Sequence, residues 1–256
     1  MRRKILIYCD YGCSNIGQLQ SVLSDRFVPQ GIEVLQTDSG QIIKEKSLNT
    51  DVLAFVMPGG AATPYRQKLA VQGNDSIRDY VRRGGIYFGV CAGAYYACHQ
   101  VFFEVDVPEL KIVNQCGLDL VQGDAVGTLY KEFSIRPYAQ NATSETIIPV
   151  RWHADDQRCW THYSGGPYFS NLEQGVQILA SYDSLTTPLP AIIEKQYGAG
   201  RVILSGVHFE NTPSSLLRRI YKDTLDEQYA KHNAAVLKIK EVSHQALVQK
   251  ILDRIV

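Results

Sequence analysis

Three short segments hold residue types that could do nucleophilic chemistry. Gly89-Val90-Cys91-Ala92-Gly93 sets a thiol between two glycines, with one residue on each side. An apolar run enters it, and a helix-prone run over 94–100 leaves. That is the pattern of a nucleophile elbow with Cys where Ser is usual. The reason is steric. The residue at the tip is held in a strained backbone, and neighbouring side chains would clash. A thiol there would also face the unpaired N–H groups of a helix start, which favour thiolate. A buried Cys at a tight strand-to-helix turn would show the same five residues. The second segment, Val202 to Glu210, ends an apolar run with His208 and Glu210 two residues apart. Alternate strand residues share a side, so Glu210 can orient the His208 imidazole. Cys91, His208 and Glu210 then form the thiol version of a catalytic triad. The third is Met57-Pro58-Gly59-Gly60-Ala61. With the N–H of Ala92, a backbone turned at Gly59 and Gly60 can serve as an oxyanion hole. A plain strand-ending turn would read the same way.

These residues need a scaffold that brings them together. Lys4–Tyr8 reads as a buried first strand, followed by a helix over Ile16–Phe27 and a strand over 32–35. A strand over 51–56, a polar helix over 75–83 stopped by Gly84-Gly85, and a strand over Ile86–Val90 come next. Strand, helix, strand in repetition predicts an α/β fold: a mostly parallel sheet with helices on both faces. From 101 to 187 the chain is rich in Gly, Asn and aromatics, and it predicts an insertion of antiparallel strands and loops over the sheet edge. Strands return over 191–194 and 201–207, around Gly198-Ala199-Gly200. Thr212 can cap a helix with Pro213 at its first position, carried on by Leu216, Leu217, Ile220, Leu225 and Tyr229. A second amphipathic stretch follows at Val236, Leu237, Ile239, Val242, Leu247, Ile251, Leu252 and Ile255. The whole of 1–256 reads as one domain, with 213–256 a helical extension. That extension packs on its own domain or offers a surface to a second copy or a partner protein.

In chain order the Pro-Gly-Gly turn, the elbow and the late H-x-E pair resemble the class I glutamine amidotransferase fold, which is flavodoxin-like. The resemblance implies Cys91 as nucleophile, His208 as base and Glu210 as its partner. Members that use glutamine usually carry Gln four residues after the nucleophile; Tyr95 stands there. Three longer segments, Gly89 to Ala97, Pro58 to Tyr65 and Tyr163 to Phe169, resemble the amidotransferase-like N-terminal domain of biotin–protein ligases, which also occurs free-standing. The Gly/Arg-rich biotinyl-adenylate loop of the ligase is absent, so ligase activity is not expected. The reading is a cysteine-dependent amide or acyl hydrolase or transferase. The rival readings are a non-catalytic binding or regulatory module of the same fold, and a peptidase-like member.

Further ligand contacts are expected at the Tyr95 hydroxyl, at Asn15 in the loop after the first strand, and at Tyr163, Gly165 and Gly166 in a lid. Asp10 sits in the same loop as Asn15. Glu104 and Asp106 read as a solvated strand end. Arg151-Trp152-His153 and Trp160-Thr161-His162-Tyr163 read as aromatic-packed loops or as that lid. The 26 basic residues balance the 26 acidic ones, so a nucleic-acid partner has no global electrostatic support and a small acyl or amide substrate is expected. A hydrophobic share of 45% excludes a disordered chain. After the basic start the apolar run reaches only Tyr8, too short for a signal peptide, and no stretch is long enough to span a membrane. The expected compartment is the cytoplasm. Cys9, Cys13, Cys98, Cys116 and Cys159 are then expected as reduced, buried thiols, and the Asn141-Ala142-Thr143 sequon as unused. No CxxC pair occurs, so neither a metal nor a cofactor is expected.

Overall fold

The first apolar segment forms β1 (Lys4–Tyr8) and leads through α1 (Ile16–Phe27) to β2 (Glu33–Thr37), α2 (Ser39–Ile43) and β3 (Val52–Met57). Then come α3 (Ala62–Arg82), β4 (Ile86–Val90) and α4 (Ala92–Ala97). The middle supplies β5 (Cys98–Phe103), β6 (Ile112–Gln115), β7 (Val121–Gly127), β8 (Glu145–Trp152), β9 (Gln157–Ser164), β10 (Tyr168–Ser170) and β11 (Gln177–Tyr182). β12 (Leu189–Tyr197), β13 (Gly200–Ser205), α5 (Pro213–Leu217), α6 (Thr224–Ile239) and α7 (Glu241–Leu252) complete the chain. This computed structural model describes residues 3–115 and 117–255. Cys116, expected as a buried thiol, lies outside the described residues.

Nine strands share one sheet in the order β2-β1-β3-β4-β13-β12-β11-β8-β9. The first five run parallel, and each neighbour from β13 to β9 is antiparallel. Alternate residues of β1 feed opposite faces: Ile5 and Ile7 join one buried cluster, Leu6 and Tyr8 the other. Leu19, Leu23 and Phe27 of α1 and Leu247, Ile251 and Leu252 of α7 cover the first face. Leu69, Ile77, Tyr80 and Val81 of α3 cover the second. A sheet with helices on both faces is therefore what the strand–helix alternation implies.

The insertion differs from the expectation of strands laid over an edge. β8, β9 and β11 extend the main sheet itself, and β10-β7-β5-β6 form a second, four-stranded sheet. Helix α3 begins at Ala62, well before the expected 75, and turns at Ala70 (φ 49°). Pro64 is compatible with a first turn, where its missing N–H has no intrahelical acceptor. The helix after the elbow stops at Ala97, because Val101, Phe102 and Phe103 favour an extended chain. Thr212 caps α5 with Ser215 in a reciprocal capping box, as its type predicts, but α5 ends at Leu217. Ile220, Ile239 and Val242 are exposed rather than packed. Cys98 and Cys159 are buried; Cys9 and Cys13 are only partly so.

Candidate active site

Parallel strands β1, β3, β4 and β13 end at one edge, where Met57 pairs with Gly89 and Val90 with Ser205. The loops leaving that edge carry Asn15, Gly59-Gly60, Cys91 and His208. Open parallel sheets place sites there because the chain diverges to opposite faces and leaves a crevice. Cys91 has φ 49° and ψ −106° between β4 and α4, and its N–H donates to Ser205 O at 2.9 Å. A Cβ on Gly89 would lie 2.6 Å from Gly93 O, and one on Gly93 2.2 Å from Met57 O. The two elbow glycines are thus close-approach positions. A Gly93→Ala exchange should cost roughly 1–3 kcal/mol as the elbow shifts, read as a lower urea midpoint of unfolding.

The Pro58-Gly59-Gly60 turn is equally confined. Gly59 O accepts from Ser14 N–H at 2.8 Å and from the Tyr65 hydroxyl at 2.7 Å. A Cβ on Gly60 (φ 135°) would lie 1.9 Å from Gly12 O. A Cβ on Gly59 would lie 2.9 Å from His208 Cε1 and 3.5 Å from Cys91 Cβ, so Gly59 leaves room for both. Gly60 and Ala92 line the same hollow as Cys91, and Ala92, first residue of α4, has no intrahelical acceptor for its N–H.

β13 ends at Ser205, short of the expected 207, because Ser205 Oγ bonds locally to Val207 O at 2.8 Å. His208 is held instead by a bridge to β9, its N–H donating to His162 O at 2.9 Å. Glu210 reaches it through the following turn, with Oε1 2.6 Å from His208 Nδ1. Asn15 Nδ2 donates to the same Oε1 at 3.2 Å. Asn15 therefore orients the pair, and it also lines the polar cleft, where a ligand contact was expected of it. Ser164 O lies 3.2 Å from His208 Nε2 and 3.6 Å from Cys91 Sγ, so ring and thiol converge on one carbonyl. Burial works against a charged His208 ring, yet the Glu210 carboxylate and Cys91 outweigh it and hold the ring's pKa well above 6.5. Glu210 balances the other way: burial would raise its pKa, and His208 brings it below its ordinary value. The imidazolium is thus favoured, with Nδ1–H on Glu210 and Nε2–H on Ser164 O. Since burial alone lowers a histidine, Glu210→Gln should move the NMR titration midpoint of His208 downward. A midpoint that stays put would refute this balance. By linkage, the His208 contribution to stability is full below about pH 6.5 and fades as pH rises through its folded value.

A buried polar group lies behind the pair. Glu145 pairs with His162 Nε2 at 3.2 Å and takes Arg219 Nη1 on both oxygens at 2.9 Å. Asn211 Nδ2 donates to His162 Nδ1 at 3.0 Å, and Ser164 Oγ reaches Glu145 at 3.4 Å. Burial would raise the Glu145 pKa, but His162 and Arg219 push it down to about 2. Glu145 and Arg219 carry no sequence motif and were not anticipated; Ser164 lies in the Tyr163–Phe169 segment, where a lid was expected. Their link is the β8–β9 pairing, which sets Glu145 opposite Ser164.

Several expected contacts are structural instead. The Tyr95 hydroxyl donates to Gly165 O at 3.2 Å, and burial holds its pKa well above 10. The ring nonetheless lines the hollow at Cys91. Tyr163 is fully buried in β9; its hydroxyl accepts from Leu129 N–H at 2.8 Å and donates to Gly166 O at 2.9 Å. Gly165 (φ 69°) lines the hollow, whereas Gly166 packs on backbone, a Cβ there lying 2.0 Å from Gly206 O. The expected lid is therefore a pinned strand end. Arg151 and Trp152 end β8, His153 opens the turn after it, and Trp160-Thr161-His162-Tyr163 lies in β9. Asp10 accepts from Ser39 Oγ at 2.6 Å. Glu104, expected in solvent, is 1% exposed. It accepts from Thr128 Oγ1 at 2.6 Å and from Tyr138 N–H at 2.8 Å. Asp106 is exposed and pairs with Lys131.

Cys91 sits between two openings. One is an apolar cavity of about 140 Å³ lined by Ala62, Tyr95, Val101, Phe103, Ile112 and Tyr138 among others. The other is a polar cleft of about 520 Å³ that includes Asn15, His162, His208, Ser215, Arg218 and Arg219. Tyr138 and Gln140 border both. Among the described residues no cluster of three or more His, Cys, Asp or Glu side chains is placed to hold a metal ion, and no helix is long and apolar enough to cross a membrane.

Residues 3–256 match the family described as biotin-protein ligase, N terminal. The chain belongs to that family. It is 31% identical over 261 residues to an uncharacterised protein of Chlamydia muridarum, covering 99% of this chain and 97% of that one. It is 29% identical over 212 residues to a biotin–protein ligase of Schizosaccharomyces pombe, covering 80% of this chain but only 33% of the ligase. The family domain thus corresponds to about a third of that ligase's length. Among solved structures, a Thermotoga maritima glutamine amidotransferase superposes with a TM-score of 0.61 at 13% identity, covering 100% of this chain and 98% of that one. A second glutamine amidotransferase gives 0.56 at 19% identity, over 90% of this chain and 98% of that chain. The fold of this family member is accordingly that of the class I glutamine amidotransferases.

Proposed function

We propose that this protein is a cysteine-dependent amide or acyl hydrolase or transferase, with Cys91 as nucleophile, His208 as proton carrier and Glu210 as its orienting partner. The observation that carries the reading is the convergence of Sγ and Nε2 on one point, Ser164 O, beside the backbone of Gly60 and Ala92. In the reaction Cys91 Sγ attacks the carbonyl carbon, and the N–H groups of Gly60 and Ala92 receive the developing oxyanion. His208 gives its Nε2 proton to the leaving group, then takes one from the water or acceptor that opens the thioester. Asn15 and Glu210 hold the ring for both steps.

A second reading is a non-catalytic binding module, which the same Ser164 carbonyl favours by engaging both thiol and imidazole. The two readings separate on reaction with 4-nitrophenyl acetate followed by peptide mass mapping. The catalytic reading expects the acyl group on Cys91, although Cys9 and Cys13 are the more exposed thiols. Acylation that follows exposure and spares Cys91 would refute it.

A further inference from the structure

The two openings at Cys91 differ in chemistry, and His208 borders only one of them. It lines the polar cleft and is absent from the apolar cavity. A leaving group must lie against the residue that protonates it, so it belongs in the polar cleft. The acyl part of the same substrate then extends from the carbonyl carbon at Sγ to the opposite side. That side is the cavity between α3, α4 and the small sheet, walled mainly by Ala62, Tyr95, Val101, Phe103, Ile112 and Tyr138; Arg66 and Asn114, bonded to each other at 3.0 Å, and Thr63 and Gln140 also line it. Tyr95 adds only its ring, since its hydroxyl is bonded to Gly165 O.

We infer that the substrate is an amide or thioester with an apolar acyl group, its polar leaving group lying in the cleft that Ser215, Arg218 and Arg219 border. This rests on the reading of Cys91 as nucleophile. The Sγ–C bond forms as the C–N or C–S bond to the leaving group breaks, and the proton on His208 Nε2 departs with that group. Water then adds to the thioester carbon, its proton passes to His208, and the C–Sγ bond breaks to release the carboxylic acid and the thiolate.

Acylation by 4-nitrophenyl acetate, butyrate and hexanoate tests this on the full chain, with N-acetylcysteine as the reference thiol. Each methylene that leaves water for the cavity should raise the rate about fourfold until the cavity is filled. Hexanoate should therefore acylate Cys91 at least tenfold faster than acetate, relative to the reference thiol. Ala62→Trp, which fills the cavity from a partly exposed position, should collapse that ratio. Ile112→Asp, at the exposed rim, should do the same and guards against misfolding of the first variant. A hexanoate-to-acetate ratio equal to that of N-acetylcysteine, with acetate still mapping to Cys91, overturns the apolar acyl site and leaves the nucleophile standing. Failure of every ester to acylate Cys91 in the folded chain removes the nucleophile, and the inference with it.

Discussion

Exchange of Cys91 for Ser should lower acylation at position 91 by about a thousandfold or more, with the fold retained. Ser is close to Cys in size, and either residue must adopt the same φ of 49° between β4 and α4. The unfolding midpoint is therefore expected to stay close to that of the parent. The chemistry is another matter. A serine hydroxyl needs a strong base beside it, whereas a thiol gives up its proton readily. In the variant the share that Cys91 supplied is gone, but the Glu210 carboxylate still favours the protonated ring against the pull of burial. An imidazolium can hand a proton to a leaving group, but it cannot draw one from a serine. Stopped-flow release of 4-nitrophenolate, with mass mapping of the acyl group, reads the effect. A Ser variant that retains a tenth of the parental rate at residue 91 would sink the nucleophile assignment.

Removal of the Glu145 carboxylate should cost about 3–5 kcal/mol of stability, the range for breaking a buried ion pair on one side. The Glu145 side chain is 8% exposed and Arg219 27%. Glu145→Ala removes both acceptors of Arg219 Nη1, leaving the guanidinium only its 3.5 Å contact with Asp226, and leaves His162 Nε2–H without its acceptor. Chemical denaturation reads the loss; a change under about 1 kcal/mol would show that solvent reaches Arg219 and that the network matters little. The pH dependence supplies an independent check. His162 and Arg219 overcome burial and push the Glu145 pKa down to about 2. A depressed carboxylate contributes stability that is full above its unfolded value of 4.5 and is lost as pH falls toward about 2. A Glu145→Gln variant should show a correspondingly shallower loss over that window. Because Ser164 faces Glu145 across the strands, the same variants also disturb the carbonyl on which Cys91 and His208 meet.

Much of this is legible in the sequence. The apolar run at Lys4–Tyr8, the spacing of Leu19, Leu23 and Phe27, and the glycines around Cys91 are local patterns with local causes, and strand period, helix period and steric exclusion all act within a few residues. The same holds for the Thr212 cap. Glu104 shows where local reading fails. Nothing in Glu104 or its neighbours announces that Tyr138 and Thr128, tens of residues away in sequence, bury its carboxylate and bond to it. The Asn15 bond to Glu210 is hidden from local reading in the same way, since the two are 195 residues apart. Tyr163 looked like a lid residue because Gly165, Gly166 and Pro167 follow it. Strand pairing and two hydroxyl bonds instead fix it in the core.

The sequence by itself determined the α/β alternation, the elbow that strains Cys91, and the identity of the His208–Glu210 pair, because each depends on residues close together in the chain. Tertiary structure alone decided the rest. The parallel order β3-β4-β13 brings the ends of three distant segments to one edge. The bridge from His208 to β9 carries in His162, Glu145 and Ser164. The small sheet closes an apolar wall on one side of Cys91 and leaves a polar opening on the other. Those features depend on which strands pair, a choice made by the burial of both sheet faces together and not by any segment alone.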